Sequence, residues 1–262
     1  MAISVSHISL FFGAKPNGVL HIGAHEAEEA ESYKAHGWSP VIWIEMLPDK
    51  VTRLKERFSG DPNNLVFQVA CWDIDGVSMP IYRASNQASS SLLVPKEHLV
   101  KAPEISFRVE ESIFTARLDG VLPVAARFEY LCVDVQGAEV RALRGLGERI
   151  HQVKWACVEV NSKPHYEGCA QLEDVDEFMD SIGFSRVALD IHKKYGWGDA
   201  LYVNLTGKSR ANLLGLRSRG LVWKSGVKLG RFQKNFFRYL RPTALLRKIG
   251  ALPAKESRKF HK

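Results

Sequence analysis

Short apolar runs alternate with segments of helical apolar spacing over residues 17–205, and this alternation constrains the fold most strongly. Uninterrupted apolar runs of strand length are typical of strands covered on both faces, as in parallel sheets. The pattern therefore predicts an α/β fold with a mostly parallel sheet and helices on both faces. The runs are GVLHIG, PVIWIE, LVFQVA, FEYLCVDV and WACVEV, each ending near a polar residue.

Two helices and a closing pair of strands are also predicted. Pro48 opens one helix, with Val51 and Leu54 on a shared face. The other runs over residues 171–182, and Gly183 is placed to end it. The last apolar runs, FSRVALD and DALYVNL, are close together and are expected to pair antiparallel.

Between about residues 72 and 118 the pattern changes to short alternating pieces separated by turns. Such a stretch predicts a strand-rich insertion. In α/β enzymes, loops and insertions of this kind often form a wall of the substrate site.

Composition excludes several classes of protein. A chain of 262 residues with 45% hydrophobic content can bury a full core, which rules out a disordered or fibrous protein. Its four cysteines form no C-x-x-C pair, so we expect no disulfide framework, no metal site and a reduced, cytoplasmic chain. No run reaches about 18 uncharged apolar residues, so no membrane-spanning helix is expected. The first 16 residues lack the pattern of a signal peptide, so export is not expected either.

Charge is distributed very unevenly. Residues 208–262 contain 16 Lys and Arg against one acid, which gives this segment a charge of about +15 and the preceding part about −8. We predict a lead segment over 1–16, a catalytic-size domain over 17–206 and a basic extension over 207–262.

The basic extension contains an amphipathic pattern over residues 229–241. Phe232 and Phe236 lie on its apolar side, and Arg231 and Arg238 lie on the other. Such a helix suits the surface of an anionic membrane, so peripheral attachment to an inner membrane is one hypothesis. Packing against the acidic body or a protein partner is the second. Nucleic acid is less favoured, because no recognition motif accompanies the charge.

Ligands of open parallel sheets bind beyond the carboxyl ends of the strands. After the first run, Gly23 opens a small-residue turn that we expect to lead directly into a helix, whose amides would face an anionic group. Glu45 ends the second run and suits two vicinal ribose hydroxyls. The alternatives are that Gly23 belongs to a plain strand-to-helix turn and that Glu45 is an exposed acid preceding a helix. A dinucleotide is less favoured because G-x-G-x-x-G is absent.

Two further carboxylates end neighbouring runs. Asp134 follows the fourth run and is followed in turn by Gly137, and Glu159 lies in the fifth. Because buried strands seldom hold unpaired acids, these positions favour a site, with structural capping as the alternative.

Together these segments resemble the FkbM family of S-adenosylmethionine-dependent methyltransferases. The resemblance covers residues 17–205, and its most specific part is D-V-Q-G-A-E with R-L-D upstream. The segments that carry it are HIGAHEAEEAESY, VIWIEMLPDKVTRL, NLVFQVACWDIDG, SSSLL, TARLD, YLCVDVQGAEVRALRGL, VKWACVEVN and GDALYVN.

The resemblance implies a class I methyltransferase fold, a Rossmann-like sheet of seven mostly parallel strands with an antiparallel last strand. It also implies S-adenosylmethionine as cofactor and O-methylation of sugars, polyketides or other natural products. Carried over by position, Gly23, Ala24 and His25 would line the methionine end, Glu45 would hold the ribose, and Ala70 to Asp73 would lie near the adenine. Asp134 would face the cofactor's amino group or the acceptor.

The first turn departs from the family pattern D-x-G-A-N-x-G, since His21, His25 and Ala27 replace Asp, Asn and the second Gly. This leaves open which acid would hold the amino group of the cofactor. The candidates are Asp134, Glu26, Glu28 and Glu29.

Methyl transfer to a hydroxyl needs proximity and a base for the hydroxyl proton. The candidate bases are Asp134, Glu139, Glu159 and His165. The candidate substrate contacts are His165 and the serines from Ser89 to Ser91. We therefore expect an O-methyltransferase acting on a saccharide, glycolipid or natural product. The alternatives are a nucleic-acid methyltransferase that uses the basic extension and a non-catalytic binding module on the same fold.

Overall fold

The computed structural model describes residues 3–206 and 210–224. The amphipathic pattern predicted over 229–241 lies outside the described residues. The chain divides into two compact units, Met1–Leu221 and Val222–Lys262, and both sheets lie in the first. Every helix among the described residues is too short or too polar to cross a bilayer.

Ten strands form two sheets in the described part of the chain. They are β1 (Val19–Ile22), β2 (Val41–Glu45), β3 (Asn64–Gln68), β4 (Ala70–Cys71), β5 (Ser78–Ala84), β6 (Phe107–Ala116), β7 (Tyr130–Val133), β8 (Trp155–Asn161), β9 (Phe184–Ile191) and β10 (Trp197–Asn204).

Eight α-helices and one 3₁₀ helix at Gly147–Gln152 connect these strands in the described residues. The α-helices are α1 (Val5–Phe12), α2 (Ala30–Ala35), α3 (Pro48–Arg57), α4 (Glu97–Lys101), α5 (Leu118–Val121), α6 (Glu139–Arg144), α7 (Leu172–Ser181) and α8 (Arg210–Lys224).

The main sheet has seven strands in the order β3-β2-β1-β7-β8-β10-β9. The five strands from β3 to β8 run parallel, whereas β10 pairs antiparallel with both β8 and β9. Helix α3 packs against β2 and β3, and α7 packs against β8 and β9. The fold is that of a class I methyltransferase, as the resemblance implied.

Most of the strands and helices predicted from apolar spacing are present. Pro48 is the first residue of α3, and α7 begins after Gln171 and is followed by Gly183 in the left-handed conformation, with φ +85°. The run LVFQVA, however, is divided between β3 and β4. Val69 lies at the break and still donates its amide to the Glu45 carbonyl of β2, whereas Ala70 and Cys71 pair with β6 in the second sheet.

The first turn does not lead directly into a helix, contrary to the sequence-based expectation. His25 and Ala27 both have left-handed backbone conformations, with φ values of +46° and +54°, and α2 begins only at Ala30. Left-handed residues cannot continue a right-handed helix, so the chain makes an extra turn before α2.

The lead segment is folded onto the rest of the first unit. Helix α1 begins at the cap Ser4 and ends at Gly13, and Ile8 and Phe12 are buried. The amide of Ile3 donates to Asp199 Oδ2 at 2.9 Å, which joins the start of the described chain to β10.

The stretch 72–118 contains most of the second sheet, in which β6 lies between β4 and β5. The chain between β5 and β6 returns toward the main sheet. Along this chain, Ser91 forms a bridge with Tyr82 of β5, and Pro95 forms one with Tyr166. This arrangement brings residues 87–92 beside the carboxyl ends of the parallel strands.

Candidate active site

A cleft of about 290 Å³ lies at the carboxyl ends of β1, β2 and β7. Residues of the first turn, the end of β2 and the turn after β7 form one side. The insertion contributes Gln87, Ala88, Ser90 and Leu92. A concave site at this edge of a parallel sheet is where ligands bind in such folds.

Gly23 brings the first turn into direct contact with the turn after β7. Its φ is +86°, and a Cβ atom there would lie 1.7 Å from the carbonyl oxygen of Asp134. No side chain fits that space, so glycine is required for the two turns to meet.

The amides of the first turn are committed to β2 rather than free for an anion. Those of Gly23 and Ala24 both donate to the Ile44 carbonyl at 2.9 Å. That of His25 donates to Glu45 Oε2 at 2.7 Å. No helix begins at these three residues, so they do not form the predicted anion site at a helix N-terminus, although all three line the cleft.

Glu45 is held rigidly at the edge of the cleft. Besides the His25 bond, its Oε1 accepts the amides of Met46 and Leu47 at 2.8 and 2.9 Å, and the residue is only 6% exposed. Burial raises the pKa of Glu45, while the three amide bonds oppose that rise. A carboxylate has about four acceptor positions, so one remains for a ligand hydroxyl.

Glu139 supports the turn after β7 from below. The turn places Gln136 and Gly137 at φ values of +53° and +102°. Glu139 Oε1 accepts the amides of Val135 and Gly137 at 3.2 and 2.9 Å, and the side chain is fully buried. Glu139 does not line the cleft, so its position indicates a structural role rather than the predicted catalytic one.

Glu139 should make stability depend on pH. Burial raises its pKa to about 7 from an ordinary value of 4.5. The folded protein therefore holds a proton that the unfolded chain has already lost, and the unfolding free energy should fall as the pH rises between these values. In urea unfolding, the unfolding free energy of the wild type should fall by the order of 1–3 kcal/mol as the pH rises through this range. The unfolding free energy of Glu139→Gln should depend less on pH. Identical slopes in both proteins would contradict the assignment.

Asp134 and Glu159 are bridged by one amide group. Gln136 Nε2 donates to Asp134 Oδ1 at 2.6 Å and to Glu159 Oε2 at 2.9 Å. Burial, and next the negative charge of Asp134, raise the pKa of Glu159 well above its ordinary value. Both effects favour the protonated form of Glu159, and Asp134 is the member of the pair that lines the cleft.

Tyr166 fixes the orientation of the Gln136 amide. Its hydroxyl lies 3.0 Å from Gln136 Oε1 and 2.9 Å from the Ser89 carbonyl. A hydroxyl donor beside Oε1 leaves Nε2 directed at the two carboxyl groups. Gln136 was not predicted as a site residue. Its position directly before a turn glycine is the sequence signal that could have indicated it.

Two residues predicted to contact substrate have structural roles instead. Ser91 is fully buried, and its hydroxyl donates to the Gln136 carbonyl at 2.8 Å and accepts the Leu93 amide at 3.0 Å. His165 is buried against the rings of Trp197 and His98, and burial lowers its pKa. Neither residue lines the cleft.

The residues predicted near the adenine are only partly in place. Val69 and Cys71 line the cleft, whereas Ala70 between them packs with Leu47 and Trp72, because successive side chains of an extended segment face opposite sides. Asp73 is paired with Arg141 at 3.1 Å outside the cleft lining. This end of the cleft is therefore apolar.

The acids of the first turn divide into two groups. Glu26 binds Lys50 and Arg53 on α3 and does not line the cleft. Glu28 and Glu29 do line it, Glu28 with its carboxylate 2.6 Å from His25 Nδ1. Burial raises the pKa of Glu29. Of the candidates for an amino group, Glu28, Glu29 and Asp134 remain.

No cluster of three metal-ligating side chains occurs among the residues that the structure describes. Of the insertion residues in the cleft, Ser90 belongs to the serines predicted to contact substrate, whereas Gln87 was not predicted, because its place in the cleft depends on long-range pairing rather than on local sequence.

Comparison with known families matches residues 21–186, more than half of the chain, to the methyltransferase FkbM domain. Comparison with curated proteins gives no match. Similar solved structures include a protein of the NADB-Rossmann superfamily from Streptococcus agalactiae, with 12% identity, TM-score 0.46 and coverage of 94% of this chain and 86% of that one.

Two methyltransferases are also among the similar structures. The ribosomal protein L11 methylase from Lactobacillus delbrueckii subsp. bulgaricus has 9% identity and TM-score 0.44, covering 77% of this chain and 78% of its own. The magnesium protoporphyrin IX methyltransferase from Synechocystis PCC 6803, solved with bound S-adenosylmethionine, has 8% identity and TM-score 0.42, covering 76% of this chain and 74% of its own.

Proposed function

Because this chain belongs to the FkbM family of S-adenosylmethionine-dependent methyltransferases, we propose that it methylates a hydroxyl group of a saccharide, glycolipid or natural product. S-adenosylmethionine is the cofactor of the family and supplies a methyl group activated on a sulfonium sulfur. Attachment to a membrane is a part of this proposal that rests on the sequence alone.

The cleft has the groups that this cofactor needs. Glu45 keeps one acceptor position for the ribose hydroxyls, and Val69 and Cys71 provide an apolar wall for the adenine. Glu28 and Glu29 are the carboxylates of the first turn that would hold the positively charged amino group. These residues would therefore orient the cofactor along the ends of β1 and β2.

The observation that carries the choice of a hydroxyl acceptor is the pairing of Asp134 with Glu159. A hydroxyl gives up its proton when its oxygen forms a bond to carbon, so the enzyme must supply a base. Asp134 lines the cleft, and Gln136 Nε2 holds its Oδ1 in place. Glu159 does not line the cleft, so Asp134 is the carboxyl group of the pair that the hydroxyl of an acceptor can reach.

The polar lining contributed by the insertion supports a saccharide-like acceptor. Gln87 contributes a side-chain amide to the cleft lining, whereas the Ser90 hydroxyl, which also lines the cleft, already donates to the Gln87 carbonyl at 2.6 Å and accepts the Ala84 amide at 3.1 Å. Side chains that both donate and accept hydrogen bonds suit a ligand with several hydroxyls. The cleft is also large enough for a small ligand group beside part of the cofactor.

A labelled-methyl assay tests this proposal. The full chain is incubated with S-adenosylmethionine labelled in its methyl group and with a panel of saccharides, glycolipids and RNA. We expect label in a hydroxyl of a saccharide or lipid-linked acceptor, and no transfer by Asp134→Asn. Label found only in RNA would overturn the choice of acceptor and would favour the alternative nucleic-acid activity.

A further inference from the structure

Two buried histidines meet where the insertion packs against the chain that follows β8. His98 lies in α4 of the insertion, and His165 lies beyond the end of β8. They are 3% and 1% exposed, and their ring centroids are 6.3 Å apart. Both rings also pack against the indole of Trp197 at the start of β10, at 5.6 and 5.2 Å. One aromatic cluster therefore encloses both imidazoles.

The ring nitrogens of this pair are poorly provided with hydrogen bonds. Nδ1 of His98 and both ring nitrogens of His165 are buried without a hydrogen-bond partner among the described residues. A buried charge without a partner carries a much larger desolvation cost than a buried neutral group. The packing therefore favours the neutral form of both rings.

The same two residues take part in the backbone contacts that hold the insertion in place. The carbonyl of His165 accepts the amides of Lys96 and His98 at 2.8 and 3.3 Å. Beside these bonds, Pro95 forms a bridge with Tyr166. Separation of the two segments would break these contacts and would expose both imidazoles to water.

The charged groups that act on the pair come from the elements around it. They are Glu97 in α4, Glu104 in the chain that follows α4, and Lys163. Burial has the largest effect and lowers the pKa of both histidines. For His165, the second imidazole and Lys163 add to the lowering of the pKa, whereas Glu97 and the Tyr195 backbone oppose it. For His98, its own backbone and Glu104 oppose it.

These shifts give the contact a defined dependence on pH. In mild acid, the separated segments would bind protons that the packed histidines do not bind. The free energy of separation therefore falls as the pH drops below 6.5, the ordinary pKa of histidine. The packed arrangement is favoured at neutral pH.

We propose that His98 and His165 form a latch that holds the insertion in place at neutral pH and releases it in mild acid. Tyr166 links this latch to the cleft, because its ring lies 5.6 Å from that of His98 and its hydroxyl bonds to the Ser89 carbonyl. Ser89 belongs to residues 87–92, which lie beside the cleft, so release would open that wall. Control of acceptor binding in this way rests on the proposed function, whereas the latch itself does not.

Hydrogen exchange of the full chain, followed by mass spectrometry, tests the latch directly. Peptides that contain α4 are compared at about pH 7.5 and about pH 5, with labelling times scaled to the intrinsic exchange rate at each pH. We expect the protection of α4 in the wild type to fall about tenfold or more at the lower pH, because separation then charges both rings. Helix α7 should keep its protection, since the latch does not include it.

Variants without the titrating rings separate the latch from other effects of acid. The double variant His98→Phe/His165→Phe keeps two packed rings, and its α4 protection should change by less than about threefold. His98→Gln is a smaller disturbance and should lose less protection than the wild type. His151→Gln is the matched control, since it removes a histidine that is 53% exposed and should behave as the wild type does.

Three results would overturn the latch. They are equal protection of α4 at both pH values in the wild type, an equal loss in the wild type and the variants that lack His98, and a loss that α7 shares. Because no methyl transfer is measured, any of these results would leave the proposed activity standing.

Discussion

Replacing Asp134 by asparagine is expected to lower kcat by about 10²–10⁴-fold, the usual contribution of a general base. Asparagine keeps the shape of the side chain and an oxygen for the Gln136 bond but cannot accept the hydroxyl proton. The Kd for S-adenosylmethionine should stay within about threefold of wild type, since other acids line the first turn. Single-turnover methyl transfer and calorimetry measure the two quantities separately.

Glu159→Gln is the matched control for this prediction. Glutamine resembles the protonated carboxyl group that burial and the charge of Asp134 impose on Glu159. We therefore expect kcat to fall by less than about tenfold. A loss in Glu159→Gln as large as that in Asp134→Asn would mean that the base is Glu159 or the pair as a unit.

Replacing Glu45 by alanine should have the second largest effect, on both binding and stability. Three backbone amides, those of His25, Met46 and Leu47, would lose their acceptor in a buried setting. The expected cost is about 2–5 kcal/mol of unfolding free energy, because each unpaired buried donor is destabilising. The Kd for S-adenosylmethionine should rise about tenfold or more, since the ribose contact is lost as well.

Denaturant unfolding and calorimetry at several temperatures check both effects of Glu45→Ala. Glu31→Ala removes an exposed glutamate of α2 and should change neither quantity measurably. Unchanged affinity in a folded Glu45→Ala protein would remove Glu45 from the cofactor site.

The apolar runs predicted the strands well because a strand buried on both faces leaves a local signature. Glu45 and Asp134 were found in the same way, since each follows a run that ends at the ligand-binding edge. The order of the strands in the sheet was not predicted, because pairing between distant segments has no such local signature.

Other parts of the site depend on contacts that local sequence does not encode. His25 and Ala27 have left-handed backbone conformations, and the amides of this turn donate to β2. The spacing of residues along the sequence did not indicate either feature. Ser91 was predicted to contact substrate, whereas its hydroxyl donates to the Gln136 carbonyl and supports the turn after β7. Glu139 looked like a surface or catalytic acid, yet it is buried and accepts two amides.

The most direct test of the central claim is calorimetric titration of the full chain with S-adenosylmethionine and with its demethylated product. The claim is that the ends of β1, β2 and β7 form the cofactor site, with Glu45 as a required contact. We expect one ligand per chain, a Kd in the micromolar range and weakened binding in Glu45→Ala. No heat from either ligand would contradict the claim and would favour a binding module that has kept the fold without the cofactor.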